Sequence, residues 1–252
     1  SLQFSHGMVS CAEWTGVLLS TLLKECGVKG AAKWFVAEGT EEVKGASSMP
    51  IAKAMDDCIL AYGMNGEAVR PQNGFPLRLM VPGFEGIFHT KWIRRIKLVD
   101  RYYMNYNDYG HLDQEHHEAA LAYQIGPKSV ITFPSGSQRL AGRGFYEISG
   151  LAWSGRGKIK QVDVSVDGGR TWRAARLETP VLSKCLTRFN LDWVWDGKPA
   201  LVQSRATDET GYVQPTFRQL RAVRGSRSIY HNNAVQTWLV QDSGEVKNVQ
   251  LS

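Results

Sequence analysis

The sequence predicts an α+β protein of two parts, with a mixed α/β region at residues 1–123 and an all-β sandwich at residues 124–252. In the first region short strand patterns alternate with helical patterns. In the second, short strands follow one another between Gly, Pro and Asp. A length of 252 residues is enough for two ordinary domains.

The first region opens with a helical pattern, because Val17, Leu18, Leu22 and Cys26 recur at helical spacing and Gly27 can end the helix. Next come a strand (KWFVAEG) and a helix that begins near its proline (MPIAKAMDDC). They are followed by an Asn-Gly hairpin (CILAYGMNGEAV) and by a second Asn-Gly turn that leads into LRLMVP. The segment KWIRRIKLV predicts a further strand. Residues 105–123 predict a loop or short helix that bridges the two regions.

The second region predicts a sandwich of the seven-strand type. Val162, Val164 and Val166 alternate with polar residues, and a tight Asp-Gly-Gly turn follows at 167–169. The predicted strands are GFYEISGLAWSG, KIKQVDVSVDGG, RTWRAARL, RFNLDWVW and ALVQSRATD.

Composition limits the classes of function. A net charge of +6 and a pI near 9.1 suit anionic partners. No run of five Lys/Arg occurs, and the densest basic cluster is the short segment RAVRGSR. Nucleic acid is therefore not expected as a partner. No apolar run approaches the roughly 20 residues that span a bilayer. SLQFSHGMVS is not expected to be a signal peptide, because it lacks a basic start and an apolar core. The four cysteines, which show no CxxC spacing, are predicted to be small buried side chains.

Three donors lie within GFPLRLMVPGFEGIFHTKW. If HTKW were a strand, His89 and Lys91 would share one face and Thr90 and Trp92 the other, while Arg78 could reach the same space from a neighbouring strand. Arg and Lys together suit a phosphate-bearing ligand. The alternative is that all three are solvated charges, and spacing alone favours that interpretation.

Other candidate motifs are weaker. The tyrosines of YYMNYNDYGHL could bind an oxyanion or relay a proton, but tyrosines in such a loop more often pack between domains. The adjacent His116 and His117 lack further spaced ligands, so no metal site is predicted from them. The usual nucleophile and phosphate-loop motifs are absent from the sequence.

Several runs together resemble the sulfite oxidase family. HGMVSCAEWTGVLLSTLL, AMDDCILAYGMNGEAV and NGFPLRLMVPGFEGIFHTKWIRRI are similar to its molybdenum-cofactor domain. PKSVITFPSG, FYEISGLAWSGRGKIKQVDVSVDGGRTW and ATDETGYVQP are similar to its immunoglobulin-like dimerisation domain. The resemblance spans nearly the whole chain, and VSCAEWTGV, NGEAVRP and WIRRIK are most similar to the bacterial sulfane dehydrogenase branch.

The resemblance implies a set of residues that bind the molybdenum–molybdopterin cofactor. Arg78 and the stretch His89, Thr90 and Lys91 match binding positions of the family. Asn73 stands where animal enzymes carry a His. An Asn can still make a hydrogen bond to the cofactor but cannot carry the charge of the His. Glu41 falls near an acidic cofactor contact.

The resemblance also implies the catalytic residues. Tyr109 matches the active-site tyrosine that lies close to the molybdenum, with Tyr106 as the alternative, and Arg224 matches an arginine that binds the anionic substrate. Phe4 stands at the position of a substrate-pocket Trp in animal enzymes.

The implied activity is oxidation of sulfite or carrier-bound sulfane sulfur in the periplasm, with electrons passed to a c-type cytochrome by a homodimer. The family's molybdenum ligand is a cysteine in a Cys-x-Gly-Asn segment, and none of the four cysteines aligns with it. Cys11 matches a position held by small polar residues in relatives. The chain is therefore expected to begin after the ligand. The alternative is a non-catalytic fragment or remnant that acts as a dimerisation or anion-binding module.

Overall fold

The computed structural model describes residues 9–40, 46–105, 124–225 and 231–250, which belong to two compact units. The first unit, within residues 11–105, mixes strands and helices. The second, within residues 124–250, consists mainly of strands. The predicted α+β class is confirmed. No helix in the described ranges is long and apolar enough to cross a membrane.

The first unit contains two small antiparallel sheets and two short helices. Its elements are β1 (Trp14–Leu18), α1 (Leu19–Cys26), β2 (Trp34–Gly39), β3 (Ala46–Pro50), α2 (Ile51–Asp56), β4 (Ile59–Met64), β5 (Glu67–Ala68), β6 (Arg78–Met80) and β7 (Ile93–Val99). One sheet has the order β1-β4-β5, with β6 also paired to β4, and the other has the order β3-β2-β7. A shared core includes Leu19, Phe35, Met49, Leu79, Val81 and Phe88.

Local sequence signals account for most of these elements. Pro50 precedes α2 directly, where its missing N–H leaves no helical hydrogen bond unmade. Asn65 and Gly66, both at positive φ, form the turn between β4 and β5. The predicted helix near Pro50 and the predicted hairpin are confirmed.

The helical prediction at Val17 and Leu18 is wrong. Both residues belong to β1 and pair with Leu60 and Ile59 of β4, and the helix begins only at Leu19. The predicted stripe of apolar residues is largely exposed, whereas the helix buries Leu19, Ser20 and Leu23. Pairing with a strand about forty residues away overrides the local pattern. Gly27, at φ +73°, ends the helix as predicted.

The second unit is a two-sheet β structure with one helix. Its elements are β8 (Lys128–Phe133), β9 (Gly144–Trp153), β10 (Ile159–Ser165), β11 (Arg173–Ala174), β12 (Arg176–Leu177), β13 (Thr187–Trp195), β14 (Ala200–Asp208), α3 (Phe217–Arg224), β15 (Thr237–Val240) and β16 (Val246–Val249). The sheets have the orders β11-β10-β14-β15-β16 and β12-β13-β9-β8.

One core joins the two sheets of this unit, so the predicted sandwich is confirmed. It includes Val130, Ile148, Val162, Val164, Phe189, Trp193, Val202 and Trp238. Val166 packs at its edge. The structure adds β8, α3, β15 and β16 to the predicted elements, and it divides RTWRAARL between β11 and β12, which lie in different sheets.

The cysteine prediction holds only for Cys58, which is fully buried in the first unit. Cys11 and Cys26 are exposed and Cys185 is half-buried. The expectation of four buried cysteines is therefore wrong, because apolar neighbours in sequence do not fix the face on which a side chain lies.

Candidate functional site

The candidate site lies in the first unit, where the segments that carry Arg78 and Lys91 meet at Gly74. Gly74 has a φ of +113°. A Cβ at this position would be 3.1 Å from the Lys91 Cβ and 3.2 Å from the Arg78 Cβ. The two cationic side chains therefore leave the backbone close to the same glycine.

Two backbone hydrogen bonds hold these segments together. The Leu79 N–H donates to the Thr90 carbonyl at 2.8 Å, and the Ile93 N–H donates to the Leu77 carbonyl at 3.0 Å. Since Lys91 lies between the two bonds, its position beside Arg78 is fixed by main chain rather than by side-chain packing.

Side chains from the same region bind the carbonyls of the 3-10 turn at residues 71–73. The Trp92 indole N–H donates to the first carbonyl at 2.8 Å, the Lys91 ammonium to the second at 3.0 Å and an Arg78 Nη1 to the third at 3.0 Å. The Pro71 carbonyl also accepts the turn's own hydrogen bond from the Gly74 N–H at 3.1 Å. The next two carbonyls lie at the end of the turn, where helical partners run out, and Lys91 and Arg78 satisfy them. The loop is thus pre-formed around its cationic groups.

Arg78 is the most constrained donor. Its guanidinium carbon lies 5.0 Å from the centre of the Trp14 ring. Its Nε is buried and has no hydrogen-bond partner in the part of the chain that the structure describes. Burial also lowers the pKa of this guanidinium, although an arginine stays charged at neutral pH. A buried charged donor with one unmade hydrogen bond fits an acceptor supplied by a ligand.

His89 turns away from this donor pair. Its Nδ1 accepts from the Val81 N–H at 3.4 Å, and its Nε2 lies 3.2 Å from the Phe84 carbonyl, which it can reach only as a donor. Burial lowers the pKa of His89 to about 4, and the charges of Arg78 and Lys53 act in the same direction. The imidazole is therefore neutral at neutral pH and bridges two backbone groups of its own loop.

The stability of the protein is expected to fall in acid because of His89. The unfolded imidazole has a pKa near 6.5 and the folded one a pKa of about 4, so this contribution is present above pH 6.5 and is lost as the pH falls through 4. The full loss is about 3 kcal/mol. Chemical unfolding between pH 7 and pH 4 measures it. A His89→Gln control should lack this part of the loss, and an identical pH dependence in both proteins would contradict the assignment.

HTKW does not form the strand on which a shared face of His89 and Lys91 depends. A short 3-10 helix spans Gly86–Phe88, His89 follows it as its cap, and β7 begins only at Ile93. Trp92 has φ +50°, which is outside the strand region. His89 and Lys91 therefore do not share a strand face, and only Lys91 joins Arg78.

Sequence reasoning missed Lys53, which supports the same loop from α2. Its ammonium donates to the Pro82 carbonyl at 2.8 Å and pairs with Asp57. It also lies 5.0 Å from the centre of the Phe84 ring. Trp14, which stacks on Arg78, was missed as well. Neither contact has a local sequence signal, because each depends on strands and helices meeting across the fold.

Of the other predicted residues, three lie in the described part of the chain and four lie outside it. Asn73 is half-buried and its amide donates to the Met64 sulfur at 3.3 Å, while Thr90 is buried. Arg224 ends α3 in the second unit and is half-buried. Four predicted positions lie outside the described residues, and these are Phe4, Glu41, Tyr106 and Tyr109.

The donors present fit an anionic, acceptor-rich ligand such as a phosphate-bearing pterin. Arg78 offers its Nε, which has no partner among the residues that the structure places. The Lys91 ammonium has three N–H bonds and donates one of them to the Gln72 carbonyl, so further donors remain for a ligand. Gly74 lets the segments that carry these two donors pack closely against it. In the described ranges no group of three or more His, Cys, Asp or Glu is placed to hold a metal ion.

Comparison with protein families divides the chain at nearly the same place as the fold. Residues 1–107 match the oxidoreductase molybdopterin binding domain. Residues 119–238 match the Mo-co oxidoreductase dimerisation domain.

Individual relatives are similar to most of the chain. The chain is 47% identical to a solved structure of the sulfane dehydrogenase SoxCD from Paracoccus pantotrophus, with a TM-score of 0.90 over 96% of this chain and 63% of that one. It is 31% identical to mitochondrial sulfite oxidase of Mus musculus over 93% of its length, and 34% identical to a nitrate reductase of Hordeum vulgare over 75%. The chain spans 48% of that sulfite oxidase and 24% of that nitrate reductase.

Proposed function

Because the chain belongs to the molybdopterin-binding oxidoreductases of the sulfite oxidase type, we propose that its protein oxidises sulfite or carrier-bound sulfane sulfur. Electrons would pass to a c-type cytochrome. The 47% identity to a sulfane dehydrogenase, over almost the whole chain, favours a sulfur compound over nitrate as the substrate.

One structural observation carries the cofactor part of this proposal. Arg78 and Lys91 flank Gly74 in a pre-formed loop, and among the described residues none accepts a hydrogen bond from the buried Nε of Arg78. The domain that contains this loop is a molybdopterin-binding domain, whose cofactor carries a phosphate and a polar ring. We assign Arg78 and Lys91 as the side-chain donors that hold the cofactor, with Asn73 beside them.

Each residue of the loop then has a defined task. When bound, the cofactor supplies the redox chemistry at sulfur. The planar guanidinium of Arg78 orients an acceptor through fixed N–H directions, whereas Lys91 contributes a compact positive charge. His89 is not a proton carrier at neutral pH, because its pKa is about 4 and both ring nitrogens are engaged by backbone. Its ring instead links the Val81 N–H and the Phe84 carbonyl within the 81–89 segment.

Arg224 is proposed to bind the anionic substrate. It lies in the last turn of α3, where a cation also complements the negative end of the helix dipole. The proposed role of Tyr109 near the molybdenum, with Tyr106 as the alternative, and that of Glu41 as an acidic cofactor contact rest on resemblance. All three positions lie outside the described residues.

The remaining proposals concern assembly and location. The match of residues 119–238 to a dimerisation domain supports a homodimer. We propose that the electron acceptor is a c-type cytochrome, and that the protein works in the periplasm.

The proposed function is tested on the native-length protein from a host that makes molybdopterin. We expect bound molybdenum and reduction of cytochrome c with sulfite or carrier-bound sulfane sulfur, but not with nitrate as the added substrate. Molybdenum-replete protein that is inert with both sulfur substrates would contradict the reaction. Protein that is free of molybdenum would favour the alternative of a non-catalytic dimerisation or anion-binding module.

A further inference from the structure

Each of the two cations assigned to the cofactor lies against the ring of a tryptophan. The Arg78 guanidinium carbon is 5.0 Å from the centre of the Trp14 ring, and the Lys91 ammonium is 4.8 Å from the centre of the Trp92 ring. Both distances are within the roughly 6 Å over which an aromatic face attracts a cation, and Trp is the strongest of the aromatic side chains in this interaction. Neither ring has a task in the function proposed above.

The contact between Lys91 and Trp92 joins neighbours in sequence. On an extended strand, the side chains of consecutive residues point to opposite faces, so a lysine does not lie over the ring that follows it. Trp92 instead has a φ of +50°, which allows its ring to lie against the Lys91 side chain. The backbone conformation that keeps HTKW from being a strand is therefore the one that brings the ring to the ammonium.

This conformation is unfavourable for Trp92. A bulky residue at positive φ is uncommon, because its side chain crowds the neighbouring backbone. Asn65 has a similar φ of +52° in its hairpin turn, but an Asn tolerates that conformation well. Backbone strain persists only where the surroundings impose it, and it is concentrated at ligand-binding sites. At Trp92 the strain lies one residue after a cation of the candidate site.

A hydrogen bond holds the Trp92 ring in place. Its indole N–H donates to the Pro71 carbonyl at 2.8 Å, 21 positions earlier in the chain. The Lys91 ammonium donates to the next carbonyl, that of Gln72, at 3.0 Å. The ring and the ammonium are therefore anchored to adjacent carbonyls of one turn. These contacts restrict a lysine side chain that would otherwise sample many rotamers.

Arg78 has the same two kinds of restraint. Its Nη1 donates to the Asn73 carbonyl at 3.0 Å, and the ring of Trp14, from β1, lies against its guanidinium. Trp14 and Trp92 are both half-buried. A ring against a cation displaces water from that side, and a charge-assisted hydrogen bond is stronger where water is excluded. Each ring can thus strengthen the hydrogen bond that its cation makes to an anionic ligand.

We propose that Trp92 and Trp14 are positioning residues of the cofactor site. Each ring covers one side of a cation and a turn carbonyl takes up one N–H group, so the remaining donors of Lys91 and Arg78 are left for the cofactor. The rings contact the cations rather than the reacting atoms, and they reduce the freedom that each cation loses when the cofactor binds. This inference rests on the proposed function, because it assigns two further residues to the same cofactor site.

The test compares the molybdopterin content of variants of the native-length protein, made in a host in which the cofactor is limiting. Trp92→Leu should hold about threefold to tenfold less pterin per chain than wild type, because it removes the ring that lies against Lys91. Trp92→Phe keeps an aromatic face but loses the hydrogen bond to Pro71, and it should recover most of this loss. Fluorescence of the oxidised pterin gives the content of each protein.

A double-mutant cycle shows whether the ring acts through Lys91. In a Lys91→Met background, Trp92→Leu should lower the pterin content little further, since the cation that the ring orients is gone. Losses that multiply in full would indicate a general structural role and would overturn the proposal. Trp34→Leu is the matched control, because Trp34 lies on β2 of the same unit with its ring edge-on to Tyr102. It should keep the wild-type content of pterin per folded chain.

The outcomes separate this inference from the proposed function. Wild-type pterin content in Trp92→Leu would overturn the role of the ring and leave the proposed function intact. Equal losses in Trp92→Leu and Trp92→Phe would do the same, because only the bond to Pro71 would then matter, and so would equal losses in Trp92→Leu and Trp34→Leu. A wild-type protein that takes up no pterin in a host that makes it would overturn the proposed function and this inference together.

Discussion

Gly74→Ala is expected to lower the free energy of unfolding by about 2–5 kcal/mol, from positive-φ strain and overpacking together. A methyl group there would be 3.1 Å from the Lys91 Cβ, 3.2 Å from the Arg78 Cβ and 3.2 Å from the Lys91 Cα. Backbone and first side-chain atoms cannot rotate away, so the two segments must separate. The loop would then lose its cofactor as well as its stability. Urea unfolding followed by tryptophan fluorescence measures the first effect, and molybdenum content measures the second.

Gly66→Ala is the matched control. Gly66 also has a positive φ, +79°, but a Cβ there would have no neighbour within 4 Å. Gly66→Ala should lower the free energy of unfolding only by the cost of a positive φ, about 1–2 kcal/mol. It should retain the cofactor. Equal losses of stability and cofactor in the two variants would show that the contact of Gly74 with Arg78 and Lys91 has no special role.

Arg78→Met is expected to reduce bound molybdopterin by about tenfold or more, because charge-assisted hydrogen bonds to a buried acceptor contribute about 1.5–3 kcal/mol. Met keeps an unbranched stem beside Trp14 but removes every donor. Arg78→Lys, which keeps a charge without the fork of N–H groups, should fall between Met and wild type. Fluorescence of the oxidised pterin and elemental analysis of molybdenum give the cofactor content.

Arg94→Met provides the control for that loss. Arg94 lies on β7, its side chain is 63% exposed, and its ion pair with Glu38 is long at 3.7 Å. Exposed pairs of this kind contribute little, so cofactor content should match wild type. An Arg78→Met protein with the wild-type content would remove Arg78 from the site.

Much of the fold could be predicted because its signals are local. The Asn65-Gly66 hairpin, the helix after Pro50 and the alternating valines of β10 each depend on neighbouring residues. Helix α3 also had a readable signal that was missed, since Thr216 and Gln219 have the spacing of a reciprocal cap after a proline. Gly74, the centre of the site, was predicted as part of a turn but not as the point where two cations meet.

The errors have a common cause in contacts between distant segments. Val17 and Leu18 have helical spacing yet pair with β4, and the HTKW segment has alternating residue types yet contains Trp92 at positive φ. The ring of Trp14 stacks on Arg78 across 64 positions of sequence, which no spacing rule reveals. Resemblance to relatives supplied the importance of Arg78 and Lys91, while only the structure separated them from His89.

The central claim is that the loop around Gly74 holds the cofactor through Arg78 and Lys91. A crystal structure of the native-length protein with molybdopterin bound tests it most directly. We predict a cofactor acceptor within hydrogen-bond distance of the Arg78 Nε and another within reach of the Lys91 ammonium, with His89 still bonded to Val81 and Phe84. A cofactor bound elsewhere, with the Arg78 Nε still lacking an acceptor, would contradict this account.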